Sequence, residues 1–178
     1  MNTYIVLLRG INVGGHKKVP MAELRELLAK TGFETVKTYI QSGNVILQSL
    51  EKKNATIEST VHVAIKSHFG FEVPVIARTR GELQLIFDTC PFSEEKKENS
   101  YFTLLNTIPD ANLVKGVAQI TYEDEEFQII NDCLYFYASK GYGQAKFNMN
   151  SFEKKLEVKA TSRNYKTMVK LLAMSSEN

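Results

Sequence analysis

The chain of 178 residues has no tryptophan, only two cysteines, three histidines and four prolines. Cys90 and Cys133 cannot form a disulfide framework, and their spacing matches no metal knuckle, so a reducing, cytoplasmic setting is expected. His62 and His68 are six residues apart, off a common helical face, and His16 lies far away, so no metal site and no resident cofactor are expected. No apolar run approaches the ~20 residues that span a bilayer. The opening segment, Met1-Asn2-Thr3-Tyr4-Ile5-Val6-Leu7-Leu8-Arg9, is too short for that and has no basic region before it. It reads as a strand rather than an export signal, and no membrane partner is expected. The net charge of +2 is too small to require a polyanionic partner.

What is present is the composition of an ordinary globular protein, 43% hydrophobic and 24% charged. A chain of this length buries roughly 70% of its extended surface and needs no covalent staple. The charge is unevenly distributed. Residues 88–132 hold ten acids against three bases, whereas residues 140–170 hold eight bases against two acids. Such asymmetry can create a local positive field in a nearly neutral protein; the alternative is two solvated faces of opposite sign.

Hydrophobic periodicity divides the chain into two similar halves. Residues 4–8 form an apolar, β-prone run, followed by a loop with three glycines over residues 10–18. Pro20 suits the first turn of a helix whose Met21, Leu24, Leu27 and Leu28 share one face. Strands follow at residues 35–40 and 45–48, joined by the turn Gln41-Ser42-Gly43-Asn44. Asn54 is positioned to cap a second helix with Ile57, Val61, Ile65 and Phe69 in a stripe. A fourth strand is expected at residues 73–77, and Thr79-Arg80-Gly81-Glu82 has the form of a capping box. The order β-α-β-β-α-β is the split βαβ pattern.

The charged stretch of residues 94–100 reads as a helix-poor boundary between lobes. Beyond it come a strand at 101–105, a short helix at 110–115 and a hairpin of residues 127–130 and 133–138 around Asn131-Asp132. A helix near 151–156 follows, and then a last helix over 163–174 in place of a closing strand. The expected fold is therefore α+β: two ferredoxin-like lobes (α-β plaits), residues 1–92 and 100–178, the second modified by a basic C-terminal helix.

In a split βαβ lobe the first two strands run parallel, so the loops leaving them share one sheet edge. Residues 9–18 and 41–44 should therefore meet, beside a helix N-terminus that favours anions. Arg9 can fork onto a phosphate or carboxylate, and Lys17 can add point charge. Gly14 and Gly43 permit close backbone approach, while Asn12, Ser42 and Asn44 offer neutral hydrogen bonds. The alternative is that these residues only shape turns.

Two motifs match incompletely. Gly10-Ile11-Asn12-Val13-Gly14-Gly15 has phosphate-loop glycine spacing but continues with His16 and Lys17 rather than Lys and a hydroxyl. Lys140-Gly141-Tyr142-Gly143-Gln144-Ala145-Lys146-Phe147 is similar to an RNA-recognition strand but lacks its inner aromatic and Val, and the favoured reading is a Gly-rich loop after a hairpin with Phe147 tucked into the core. No residue has the pairing of a general base, so no catalytic residue is assigned.

Three segments together resemble the signatures of the domain-of-unknown-function family 1697: Leu8-Arg9-Gly10-Ile11-Asn12-Val13-Gly14-Gly15, Thr38-Tyr39-Ile40-Gln41-Ser42-Gly43-Asn44-Val45 and Ala160-Thr161-Ser162-Arg163-Asn164-Tyr165-Lys166-Thr167. The resemblance implies a bacterial cytosolic protein of ferredoxin-like architecture and no established activity. It adds Lys146, Arg163, Asn164 and Thr167 to the candidate residues. Tyr165 stands where the family usually has Trp, and Ala145 where it usually has Ser. The resemblance also implies that Arg163, Asn164 and Thr167 belong with the first-lobe loops. They could open a helix capped by Thr161 or Ser162 and receive an anion there, or they could clamp the lobes.

The leading expectation is a protein that binds, and could act on, a small anionic or nucleotide-like ligand held at loops between the lobes. The alternatives are an RNA or single-stranded nucleic-acid module using Lys140, Tyr142, Lys146 and the basic final helix, or a protein-interaction domain whose motifs are purely structural.

Overall fold

The computed structural model describes residues 1–176. It contains two compact units, one of Met1–Leu85 together with the chain from Lys170, the other of Ile86–Val169.

The first unit is built on a four-stranded antiparallel sheet, ordered β2-β3-β1-β4. The strands are β1 (Asn2–Leu8), β2 (Glu34–Tyr39), β3 (Asn44–Ser49) and β4 (Val75–Thr79). Helix α1 (Met21–Lys30) lies between β1 and β2 in sequence, and α2 (Asn54–Phe69) between β3 and β4. β1 and β2 flank β3 and run parallel to one another, which gives the split βαβ arrangement. From Tyr4 to Leu8 β1 carries an unbroken apolar run because both of its faces are buried there. Tyr4, Val6 and Leu8 join Leu24, Leu28, Ile57, Val61 and Ile65 in one core. Ile5 and Leu7 alternate onto the opposite face, where Ile46 and Ile76 are also buried. Helix α3 (Arg80–Asp88) follows β4 directly.

The second unit repeats this plan. Its strands β5 (Ser100–Leu105), β6 (Glu125–Ile130), β7 (Cys133–Ala138) and β8 (Ala160–Asn164) take the order β6-β7-β5-β8, all antiparallel. Helices α5 (Ala111–Val117) and α6 (Met149–Leu156) cover one face with Phe136, Phe147 and Phe152 in the core. Helix α7 (Tyr165–Ser176) follows β8 as α3 follows β4. Short helix α4 (Glu94–Glu98) precedes β5.

Three expectations are corrected. The second sheet closes with a true strand, β8, and the final helix starts at Tyr165 rather than Arg163. Thr161 and Ser162 lie within that strand and cap nothing. Ala-Thr-Ser-Arg-Asn has no apolar run to announce a strand, and pairing with β5 overrides its weak propensity. The stretch after residue 94 is helical for five residues, α4, with acids in its first turn and lysines in its last. Helix α2 begins at Asn54 with Lys53 at the cap position, and the Asn54 amide instead donates to both carboxylate oxygens of Glu82. Residues 140–147 form the expected loop after the hairpin, with a 3-10 turn at Tyr142–Gln144, and Phe147 lies in the core stacked on Phe136 at 4.4 Å.

Candidate functional site

In the first unit the expected loops do meet. The loop after β1 is a small hairpin in which the Asn12 N–H donates to Lys17 O and the His16 N–H to Val13 O. Gly14 and Gly15 turn it with φ of 57° and 78°. This hairpin is tied to the turn between β2 and β3. The Asn12 amide donates to Gln41 O at 2.8 Å and to Val19 O at 3.0 Å, and its Oδ1 accepts from the Val19 N–H at 2.8 Å. The Leu8 N–H donates to Gly43 O at 2.8 Å. Fully buried Asn44 donates to Tyr39 O and to Ser42 Oγ. The Lys17 ammonium donates to Glu72 O, and the Arg9 N–H to Pro74 O. Arg9, Asn12, Gly14, Lys17, Ser42, Gly43 and Asn44 are thus neighbours, and the Asn12 amide is fully engaged in holding loop to turn.

In the second unit the candidate residues disperse. Lys146 lines a small pocket with Glu123, Glu125 and Lys140, and its N–H donates to Glu125. Arg163 is buried in β8, where its Nη1 donates to Thr161 Oγ1 and Ser162 O. Burial pushes its guanidinium down to about 10. Asn164 and Thr167 lie at the start of α7, where Asn164 Oδ1 accepts from the Thr167 N–H at 2.9 Å. This is a helix cap of the usual kind.

Asn164 also opens onto a cleft of about 460 Å³ within this unit, lined in addition by Tyr101, Tyr137, Tyr142, Tyr165 and Lys166 among others. These tyrosines were not singled out by sequence as a group. They come from the start of β5, the end of β7, the 3-10 turn and the start of α7, and only the topology unites them. Comparing the two halves at the strand-to-helix junction would have drawn attention to it. Val-Ile-Ala-Arg-Thr before α3 and Ala-Thr-Ser-Arg-Asn before α7 share their Arg position.

That comparison has a chemical consequence. Arg78 pairs with Ile5 in register as Arg163 pairs with Phe102, so Thr79 corresponds to Asn164 and Glu82 to Thr167. The shared cap bond confirms the correspondence, since the Glu82 N–H donates to Thr79 Oγ1 as the Thr167 N–H donates to Asn164. In the first unit the Glu82 carboxylate sits at the helix start and accepts from the Thr79 N–H, Thr79 Oγ1 and the Asn54 amide. Burial pushes Glu82 up, but the bonds from Asn54 and Thr79 and the charge of Arg78 outweigh it, leaving the carboxyl below its ordinary value. The second unit has Thr167 in that place and no such carboxylate, while Lys166 replaces Gly81.

Two βαββαβ units in one chain, each closing in a strand that runs directly into a helix, define the class: a two-lobed α+β protein. The chain belongs to the family described as protein of unknown function (DUF1697), whose model matches residues 1–135. It is similar over 98% of both chains to the conserved bacterial protein SP0830 from Streptococcus pneumoniae, with 26% identity and a TM-score of 0.74. No curated protein matches the chain. Among the described residues, no helix is long and apolar enough to cross a membrane, and no three His, Cys, Asp or Glu side chains gather as a metal set.

Proposed function

We propose that this is a cytoplasmic protein that binds a small anionic ligand, through the cleft of its second unit. One observation carries the reading. The two units share a strand-to-helix junction, and at this junction the first unit places its own carboxylate, Glu82, whereas the second has Thr167 at that position and an open cleft, its lining including Glu98, beside Asn164 and Lys166. The internal carboxylate supports the choice of chemistry, because a group that completes one copy of the junction suits the other. The first N–H groups of a helix have no intrahelical acceptor and carry partial positive charge, so a carboxylate or phosphate is favoured there. Lys166 adds a full charge. On this reading Asn164 and Lys166 contact the ligand and Thr167 closes the cap. Arg9, Asn12, Gly14, Lys17, Ser42, Gly43 and Asn44 frame the first unit, while Arg163 and Lys146 support the second. Cys90 and Cys133 are free thiols, in keeping with a reducing compartment.

The test is calorimetric titration with inorganic phosphate and with acetate at fixed ionic strength, on the natural chain and on Lys166→Glu. Lys166 is exposed, so the variant is expected to fold normally. Saturable binding weakened about tenfold or more in the variant is the expected result. Absence of binding, or equal binding by both proteins, overturns the proposal.

A further inference from the structure

We infer that the ligand of this cleft carries an aromatic ring in addition to its anionic group, an inference that rests on the anion-binding reading above. Four of the chain's eight tyrosines line this one cleft. Tyr142 is 40% exposed, and it is held in place from behind: its ring lies 4.4 Å from that of Tyr101 and meets Phe136 edge-on at 5.9 Å. A large aromatic surface left partly open yet fixed by its neighbours is a stacking platform with little entropy left to lose. Tyr165 and Tyr137 are backed in the same way, by Phe87 at 5.4 Å and Phe92 at 6.3 Å.

Buried tyrosines ordinarily find a partner for their hydroxyl, as Tyr4 and Tyr135 do on backbone carbonyls. The hydroxyls of Tyr101, Tyr137 and Tyr165 make no hydrogen bond among the described residues, so they remain available to the polar edge of a ring. The volume of about 460 Å³ is within the range of small-molecule sites and admits a ring and an anionic group together. Base-like rings stack on such platforms whatever their edge pattern. The ligand class is therefore an aromatic ring joined to a phosphate or carboxylate, of the size of an aryl phosphate or a nucleoside monophosphate.

The test compares inorganic phosphate, phenyl phosphate, adenosine 5′-monophosphate and adenosine on the full chain. Calorimetry and tyrosine emission provide the readouts, the latter uncomplicated because the chain has no tryptophan. Phenyl phosphate and the monophosphate are expected to bind at least tenfold tighter than phosphate. Tyr142→Ala is expected to reduce that gain to less than about threefold, and Tyr142→Phe to retain it. If the ring-bearing ligands bind no tighter than phosphate, the ring inference fails and the anion reading stands. If adenosine binds as tightly as its monophosphate, the anion reading fails and the ring inference survives as a separate property. Tighter, salt-sensitive binding of a ten-nucleotide single strand than of the monophosphate overturns the small-ligand class in favour of nucleic acid.

Discussion

Gly43 shows how little freedom the first-unit turn has. Its φ is +83°, and a Cβ built there would lie 2.7 Å from Leu8 Cβ and 3.0 Å from Leu8 O. Glycine meets both constraints because it tolerates the left-handed region and brings no side chain to the close approach. Gly43→Ala is expected to cost about 2–4 kcal/mol in a denaturant melt, from strain and overpacking together. A loss below half a kcal/mol would show that the turn relaxes easily. The polar residues around it were readable as neighbours, because parallel strands bring their loops to one edge. What they do there was not readable, since sequence gives no sign that both donors and the acceptor of Asn12 point inward to Val19 and Gln41. Arg163 is a similar case: an Arg in a polar signature suggests an exposed anion contact, yet the residue is buried within a strand.

At the level of elements, the two helix starts that follow β4 and β8 differ in one decisive group. The Glu82 carboxyl is lower in the folded protein than its ordinary value of 4.5. Such a group contributes stability that is fully present above pH 4.5 and is lost as the pH falls through the lower folded value. Glu82→Gln is therefore expected to lower stability at pH 7 by about 1 kcal/mol, the usual worth of a cap contact. The difference from the natural chain should shrink as the medium becomes more acid. Urea melts between pH 7 and pH 3 measure this, and a constant difference across the range would contradict the role given to the carboxylate. The capping box itself was legible, Thr79 and Glu82 having the right spacing and forming both reciprocal bonds. Strand β8 was not, because its strand character comes from pairing with β5 and not from its own residues. Helix α4 escaped because five charged residues carry no apolar period.

For the whole molecule, the sequence revealed a repeated element order, and the structure extends it to repeated hydrogen bonds. Leu8 N–H to Gly43 O and Arg9 N–H to Pro74 O have counterparts in Leu105 N–H to Asp132 O and Asn106 N–H to Lys159 O. Such agreement survives where side chains do not, since the backbone pairs are fixed by register and sheet order. The cleft lay beyond sequence reasoning for the same reason: Tyr101, Tyr142 and Tyr165 are far apart in the chain and are brought together by the pairing of β5 with β7 and with β8. Affinity of Asn164→Asp for phosphate tests the anionic cleft most directly. Asp caps a helix as well as Asn, so the melting temperature should hold or rise slightly. The new carboxylate takes the part that Glu82 has in the first unit, and phosphate binding is expected to fall about tenfold or more. A variant that folds as well as the natural chain and binds phosphate just as tightly would remove the cleft from the reading.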